Sequence, residues 1–164
     1  MKVKAIATLY SSSGEDKIVF TGMDSLNDRQ QLNKKLCVSI EEVNWKSEEQ
    51  LCTSLNFTDK TEVFTASVKD LMTSMDAIQT LIVKLKGWTE NEQSFEHSLL
   101  DHSFQKVFIK CGKSSKKINE IGKAFFTVRV NGNKMSVLEF EIKVDQTNID
   151  AFCRELESLV VFYE

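Results

Sequence analysis

The C-terminal stretch, residues 135–164, reads MSVLEFEIKVDQTNIDAFCRELESLVVFYE and carries two structural patterns in succession. In its first half, apolar Leu138, Phe140 and Ile142 alternate with other residues, which is the period of a strand with one buried face. After the polar step DQTN, apolar residues recur at helical spacing. They are Ile149, Phe152, Cys153, Leu156, Val160 and Tyr163. The stretch therefore predicts a strand and then a helix over about residues 147–163, with Thr147 and Asp150 at its N-terminal cap.

A second amphipathic helix is predicted over about residues 67–86. Its apolar positions are spaced by 4, 3, 4 and 3 residues, which places them on one helical face. They are Leu71, Met75, Ile78, Ile82 and Leu85. Ser67 with Asp70 resembles an N-terminal cap, and Gly87 is the expected stop. A shorter helical patch is expected over residues 92–100.

The remaining apolar runs are typical of strands. They cover residues 2–11, 17–21, 36–45, 51–57, 63–66 and 104–111, followed by a hairpin over residues 123–144. The order of strands, helix, strands and helix lacks the repeated strand-to-helix crossovers that a parallel sheet needs. The sequence therefore predicts an α+β fold, in which two main amphipathic helices pack on one side of a mainly antiparallel sheet. The length fits a single domain over residues 1–164, and no internal repeat is visible.

The hairpin over residues 123–144 defines two faces. Alternation places Phe126, Val128 and Val130 in the core, together with Leu138, Phe140, Ile142 and Val144. Matching the two buried faces favours a three-residue connection with Gly132 or Asn133 in the left-handed conformation. The outer face then carries Thr127, Arg129, Glu139, Glu141 and Lys143.

Composition restricts the classes of function and partner. The formal net charge of −3 gives no global electrostatic reason to expect a nucleic acid or an anionic membrane as partner. The N-terminal apolar run of six residues is shorter than a signal peptide or a spanning helix requires. We therefore expect a cytoplasmic protein, in which the four cysteines are reduced thiols.

The sequence carries no catalytic or cofactor signature. His97 and His102, the two histidines, are five residues apart, whereas a helical metal site needs a spacing of three or four. Both are expected at the surface. The glycines form no phosphate-binding loop, and no nucleophile motif flags a Ser or Cys. We expect no metal, no cofactor and no enzymatic activity; an enzyme would require a pocket with perturbed titratable groups.

The charges are distributed unevenly along the chain. Residues 137–164 contain seven acids against Lys143 and Arg154, whereas residues 106–123 form a basic loop with six lysines against Glu120. An acidic surface would speed association with a basic protein and set its specificity. The candidate partner-binding residues are Arg129, Glu139, Glu141, Asp145 and Glu155. Which of the two regions binds, the acidic surface or the basic loop over residues 106–123, stays open.

The second part of the chain resembles a known group of proteins. The helix SVKDLMTSMDAIQTLIVKLKG, the strand FQKVFIKC, the strand LEFEIKV, the step DQTN and the helix IDAFCRELESLV follow one another over residues 63–162. This order resembles the small immunity proteins of bacterial toxin systems, of the WapI-immunity kind. The resemblance covers no part of residues 1–62, and the Trp and Pro positions common in such families differ here.

The resemblance implies a cytoplasmic protein that binds one cognate toxin domain and blocks it by occlusion. Toxin domains of this type are often nucleases and therefore basic, which suits an acidic binding surface. The alternative is an adaptor or assembly protein without catalytic activity, which contacts a host complex through an exposed sheet edge or an acidic face. Isolation of the protein with its partners separates the two, since an immunity protein has one cognate partner and an adaptor has several.

Overall fold

The computed structural model describes residues 5–23, 35–47, 60–102, 105–113, 121–132 and 137–163. The predicted strand over residues 51–57 lies outside these ranges. The strands are β1 (Ala5–Tyr10), β2 (Asp16–Met23), β3 (Lys35–Ser47), β4 (Lys60–Ser74), β5 (Phe95–His102), β6 (Gln105–Gly112), β7 (Lys123–Asn131) and β8 (Val137–Asp145). The helices are α1 (Met75–Asn91) and α2 (Gln146–Tyr163).

The strands form two antiparallel sheets of four, in the orders β1-β2-β3-β4 and β5-β6-β7-β8. Each sheet pairs consecutive strands and is followed by one helix. The predicted α+β class with antiparallel strands and two main helices is confirmed. The described part of the chain also repeats one topology, four strands and a helix, which the sequence did not reveal.

Each helix packs against the sheet that does not precede it in the chain, and the two helices thereby connect the two sheets. Helix α1 follows the first sheet and packs against β5 of the second, whereas α2 follows the second sheet and packs against β1 of the first. The helices also pack against each other. Residues of both sheets and both helices share one core, which includes Phe20 of β2, Trp88 of α1, Phe126 of β7 and Phe152 of α2. The helices therefore lie on the side of the sheets where the described core residues are buried.

Helix α1 begins and ends later than the sequence suggests. Ser74 caps its N-terminus, because the Ser74 hydroxyl accepts a hydrogen bond from the Ala77 amide at 3.0 Å. Residues 67–74 belong to β4, so the predicted start at Ser67 is wrong. Gly87 lies inside the helix, and the left-handed residue that ends it is Glu92, with φ 52°. The expected helical patch over residues 92–100 is also wrong, since Phe95–His102 forms β5.

The hairpin of β7 and β8 has the predicted faces but a longer turn. Asn131 pairs with Val137, so residues 132–136 connect the strands and the predicted three-residue connection is wrong. Asn133 lies outside the described residues. Val128 faces Phe140 and Phe126 faces Ile142, all of them buried. Leu138, expected in the core, is 36% exposed.

Two glycine-to-alanine substitutions should shift stability in opposite directions. At Gly87 an added Cβ meets only Gln93 Oε1 at 3.8 Å, so Gly87→Ala should stabilise the protein by up to about 1 kcal/mol through helix propensity. Gly122 has φ +79°, where an L side chain is strained, and Gly122→Ala should destabilise it by roughly 1–2 kcal/mol. Urea unfolding of both variants beside the wild type measures these changes. A stability loss in Gly87→Ala would contradict the helical assignment of that residue.

Candidate functional site

A groove of about 690 Å³ lies on the outer face of the second sheet. On β6, Val107 and Ile109 are buried, and the alternation turns Phe108 outward, where it is 37% exposed. On β7, Phe125 takes the same outward position beside the buried Phe126 and is half-buried. Phe108 and Phe125 both line the groove. Two aromatic side chains therefore stand at outward-facing positions of the two central strands.

The charges around these rings are arranged by strand. The edge strands contribute carboxylates, Glu96 from β5 and Glu139 and Glu141 from β8. The central strands contribute cations, Lys110 from β6 and Arg129 from β7. The groove thus has acidic sides along both edges of the sheet and a central band that is aromatic and basic.

Contacts between these groups are few and exposed. Lys110 Nζ lies 3.7 Å from Glu96 Oε1, an exposed pair of small energetic value. The Thr127 hydroxyl donates to Glu141 Oε2 at 3.4 Å, and Arg129 Nε donates to Asn131 Oδ1 at 3.3 Å. Arg129 faces Glu139 in the strand register. Because these contacts are weak, the charged groups can exchange them for contacts with a ligand.

Three of the five candidate partner-binding residues come together here. Arg129, Glu139 and Glu141 line one groove, as their alternation predicts. The groove is not uniformly acidic, however, because cations on β6 and β7 lie between its acidic edges. The outward Phe108 and Phe125 were not among the candidates. Their signal is present in the sequence, since each is an aromatic residue at an outward position of a strand.

Asp145 lies at the junction of β8 and α2 and caps the helix. Its Oδ1 accepts from the Asn148 amide at 2.9 Å, while its own amide donates to Asn148 Oδ1 at 3.1 Å. This reciprocal pair satisfies an N–H at the start of the helix. The cap therefore consists of Asp145 and Asn148, and the predicted one at Thr147 and Asp150 is wrong.

Loss of the Asp145 carboxylate should destabilise the start of α2. We expect Asp145→Ala to lower the free energy of unfolding by about 0.5–2 kcal/mol, as for other N-cap substitutions. Asp145→Asn keeps an acceptor oxygen and should cost much less. Thermal unfolding compares the two variants with the wild type. Equal losses would contradict the capping role.

Glu155 lies on α2, apart from the groove, and contacts the edge of the first sheet. Its Oε2 accepts from the Thr8 amide at 2.8 Å. Strand β1 is at the edge of the described sheet, and the amide of Ser11, the residue after it, donates to Asp16 O and so faces β2. Because N–H groups alternate in direction along a strand, the Thr8 amide faces away from β2. Glu155 therefore satisfies an edge amide of β1.

His97 is buried, contrary to the expectation that both histidines lie at the surface. Its ring is 7% exposed, and Nε2 lies 2.8 Å from the Ala77 carbonyl oxygen of α1. Nδ1 lies 3.5 Å from Lys84 Nζ, which also donates to the Glu96 carbonyl at 2.9 Å. A neutral ring with the proton on Nε2 satisfies both contacts. Burial, and then the nearby Lys84 charge, lower the pKa of His97, while the Ala77 hydrogen bond opposes this.

Stability should therefore fall when His97 is forced to take a proton. The pKa of His97 is lower in the native state than its ordinary value of 6.5, so the unfolded chain binds the proton more readily. The contribution of His97 is fully present above about pH 6.5 and declines as the pH falls through the native pKa. Urea unfolding between pH 7.5 and 5.0 should show a larger loss for the wild type than for His97→Gln. Parallel losses would contradict this.

The two cysteines whose side chains are described are buried free thiols. Burial raises the pKa of Cys111 to about 12. Burial, together with the neighbouring Glu157, raises that of Cys153 to about 11. Since the thiolate is the reactive form, neither is activated as a nucleophile at neutral pH. Both act as small core residues.

Within the described ranges, no three His, Cys, Asp or Glu side chains come together in a way that could hold a metal ion. No helix in the same ranges is both long and apolar enough to cross a membrane.

No protein family model and no curated protein matches the chain.

Proposed function

We propose that the protein acts by binding another protein in the groove on the outer face of the second sheet. The observation that carries the proposal is the pair of outward rings, Phe108 and Phe125, at the centre of a groove bordered by charged side chains. Aromatic residues at the centre of a surface, surrounded by a polar rim, are typical of protein interfaces. The rings would supply apolar contact area, and the charged edges would orient the partner.

The resemblance of residues 63–162 to bacterial immunity proteins extends this proposal. The partner would then be one cognate toxin domain in the cytoplasm, and occlusion of its surface would neutralise it. Glu139 and Glu141 would meet cationic side chains of a basic partner, and Arg129 would pair with a carboxylate beside them. This arrangement of both charge signs fixes the orientation of the partner more strictly than a uniformly acidic surface would.

Isolation of the tagged protein from its native cell tests the proposal. We expect one basic protein in stoichiometric amount, identified by mass spectrometry. Phe108→Thr should lose this partner, since it removes the exposed ring and keeps a residue that favours strands. Val83→Ala is the matched control, because Val83 is an apolar residue on α1, 68% exposed and outside the groove. Retention of the partner by Phe108→Thr would contradict the groove as the site.

Co-expression then separates an immunity protein from an adaptor. For an immunity protein, the partner alone should arrest growth, the wild-type chain should restore it, and Phe108→Thr should fail to do so. Several partners without toxicity would favour the adaptor.

Charge reversal at the acidic edge should slow association with the isolated partner. We expect the variant carrying Glu139→Lys and Glu141→Lys to associate roughly tenfold more slowly at low salt, because steering by opposite charge is lost. Glu90→Lys on α1 is the control for a charge reversal outside the groove and should change the rate little. Stopped-flow measurements at several salt concentrations provide the rates. An unchanged rate and salt dependence in the double variant would exclude Glu139 and Glu141 from the binding site.

A further inference from the structure

Two hydrogen bonds fix the direction of the backbone groups along β8. The Gln146 amide donates to the Gly122 carbonyl at 3.0 Å, which continues the ladder towards β7. The Ser12 amide donates to the Lys143 carbonyl at 2.8 Å, from the turn between β1 and β2. Since backbone groups alternate in direction along a strand, even-numbered residues of β8 face β7 and odd-numbered residues face away. Both bonds give the same assignment.

The backbone groups of Val137, Glu139 and Glu141 therefore point away from the sheet. Strand β8 is the last of the described strands in its sheet. Within the described ranges, the outward-facing backbone groups of β8 that bond the rest of the chain lie at its C-terminal end, where the Lys143 carbonyl accepts from Ser12 and the Asp145 amide donates to Asn148 Oδ1. The edge from Val137 to Glu141 thus presents a row of amides and carbonyls that can pair with another strand.

Backbone groups on two other edge strands, β1 and β5, are hydrogen-bonded to side chains of the same chain. The Thr8 amide on the edge of β1 is bound by Glu155 of α2. The Leu99 carbonyl of β5 accepts from the Thr73 hydroxyl of β4 at 2.7 Å. The first half of β8 lacks such a contact from the described residues, which distinguishes it from β1 and β5.

The side chains of β8 define the strand that would fit beside it. On the groove side, Glu139 and Glu141 are exposed, and no Lys or Arg side chain among the described residues lies within ion-pair distance of either carboxylate. On the same side, Val137 at the start of the strand is 52% exposed, and on the opposite side Leu138 is 36% exposed. A neighbouring strand would place alternate residues beside the two carboxylates and the residues between them beside Leu138.

We propose that β8 receives an extended segment of the protein partner as an additional antiparallel or parallel strand, with Lys or Arg alternating with apolar residues. This inference rests on the proposed protein-binding function and specifies how the partner engages the groove. A second copy of the chain is disfavoured as the occupant, because pairing two β8 strands would set Glu139 and Glu141 against the same residues of the copy. Like charges on facing strands are destabilising.

A synthetic peptide of alternating Lys and Val, six residues long with blocked ends, provides the probe. Hydrogen exchange of the full chain, followed by NMR, should show fast exchange at the Glu139 and Glu141 amides of the free protein. Saturating peptide should slow the exchange of these two amides at least tenfold, while the Ile142 amide, which faces β7, keeps its exchange rate. The matched peptide of alternating Glu and Val should have no effect.

Two variants at Glu141 distinguish the contribution of its backbone N–H to peptide binding from that of its side chain. Glu141→Ala keeps the outward N–H and should weaken binding several-fold through lost charge. Glu141→Pro removes the N–H as well, at an edge position where proline is tolerated, and should abolish protection of Glu139. Should Glu141→Pro fail to fold, peptides N-methylated at every Lys or at every Val make the same test, since one of them must lose binding.

Three results would overturn the inference. One is peptide binding that shifts the Phe108 and Phe125 signals without slowing the Glu139 and Glu141 amides; the groove would then bind without strand addition, and the proposed function would stand. Another is protection of the two amides that rises with protein concentration in the absence of peptide, which would identify a second copy as the occupant. The third is a lack of binding at millimolar peptide. Loss of the native partner in Phe108→Thr is measured separately and tests the proposed function.

Discussion

The packing of Phe152 between the two sheets is the interaction on which the rest of the structure depends. Its ring contacts Phe20 of the first sheet at 5.3 Å between centroids and Phe126 of the second at 5.9 Å, both edge-to-face. Such pairs stabilise beyond the area that they bury. One residue of α2 thus joins β2 to β7. Phe125, next to Phe126 on β7, faces the groove, so the core cluster also fixes the floor of the candidate site.

Because each helix packs against the sheet that does not precede it, the two units of sheet and helix depend on each other for their packing. A four-stranded sheet needs a covering layer for its apolar face. Here α2 follows the second sheet and packs against the first, and α1 connects the first sheet to β5 of the second. Neither half keeps all of its covering helix contacts without the other. The repeated topology therefore produces one core, although the two halves share no visible sequence repeat.

The sequence predicted those features that depend on local alternation. The buried and outward faces of β7 and β8 follow from a period of two, which is why Arg129, Glu139 and Glu141 were placed together. The start of α1 was missed because Leu71 of β4 happens to continue the helical spacing of Met75 and Ile78. Gly87 was taken as a stop, yet its cost of about 1 kcal/mol is smaller than the gain from burying a large side chain such as Trp88.

Local sequence patterns do not predict interactions between residues that are far apart in the chain. Glu155 binds the amide of Thr8, 147 positions away, so its role at a sheet edge cannot be read from its neighbours. The acidic run over residues 137–164 is also divided in space. Glu139 and Glu141 lie beside Arg129 of the adjacent strand, while Glu157 pairs with Lys86 of α1. A run of charge along the chain becomes a charged surface only where neighbouring strands and helices do not compensate it.

The two carboxylates on β8, Glu139 and Glu141, affect both self-association of the chain and binding of a basic partner. An edge strand with exposed Val137 and Leu138 and outward backbone groups is prone to pair with copies of itself. Glu139 and Glu141 oppose that pairing, because an alignment that pairs the open edges of two β8 strands along Val137–Glu141 brings their carboxylates close together. The same charges attract a strand that carries cations at alternate positions. An edge left open to solvent is therefore compatible with a monomer, provided that the partner it admits is basic.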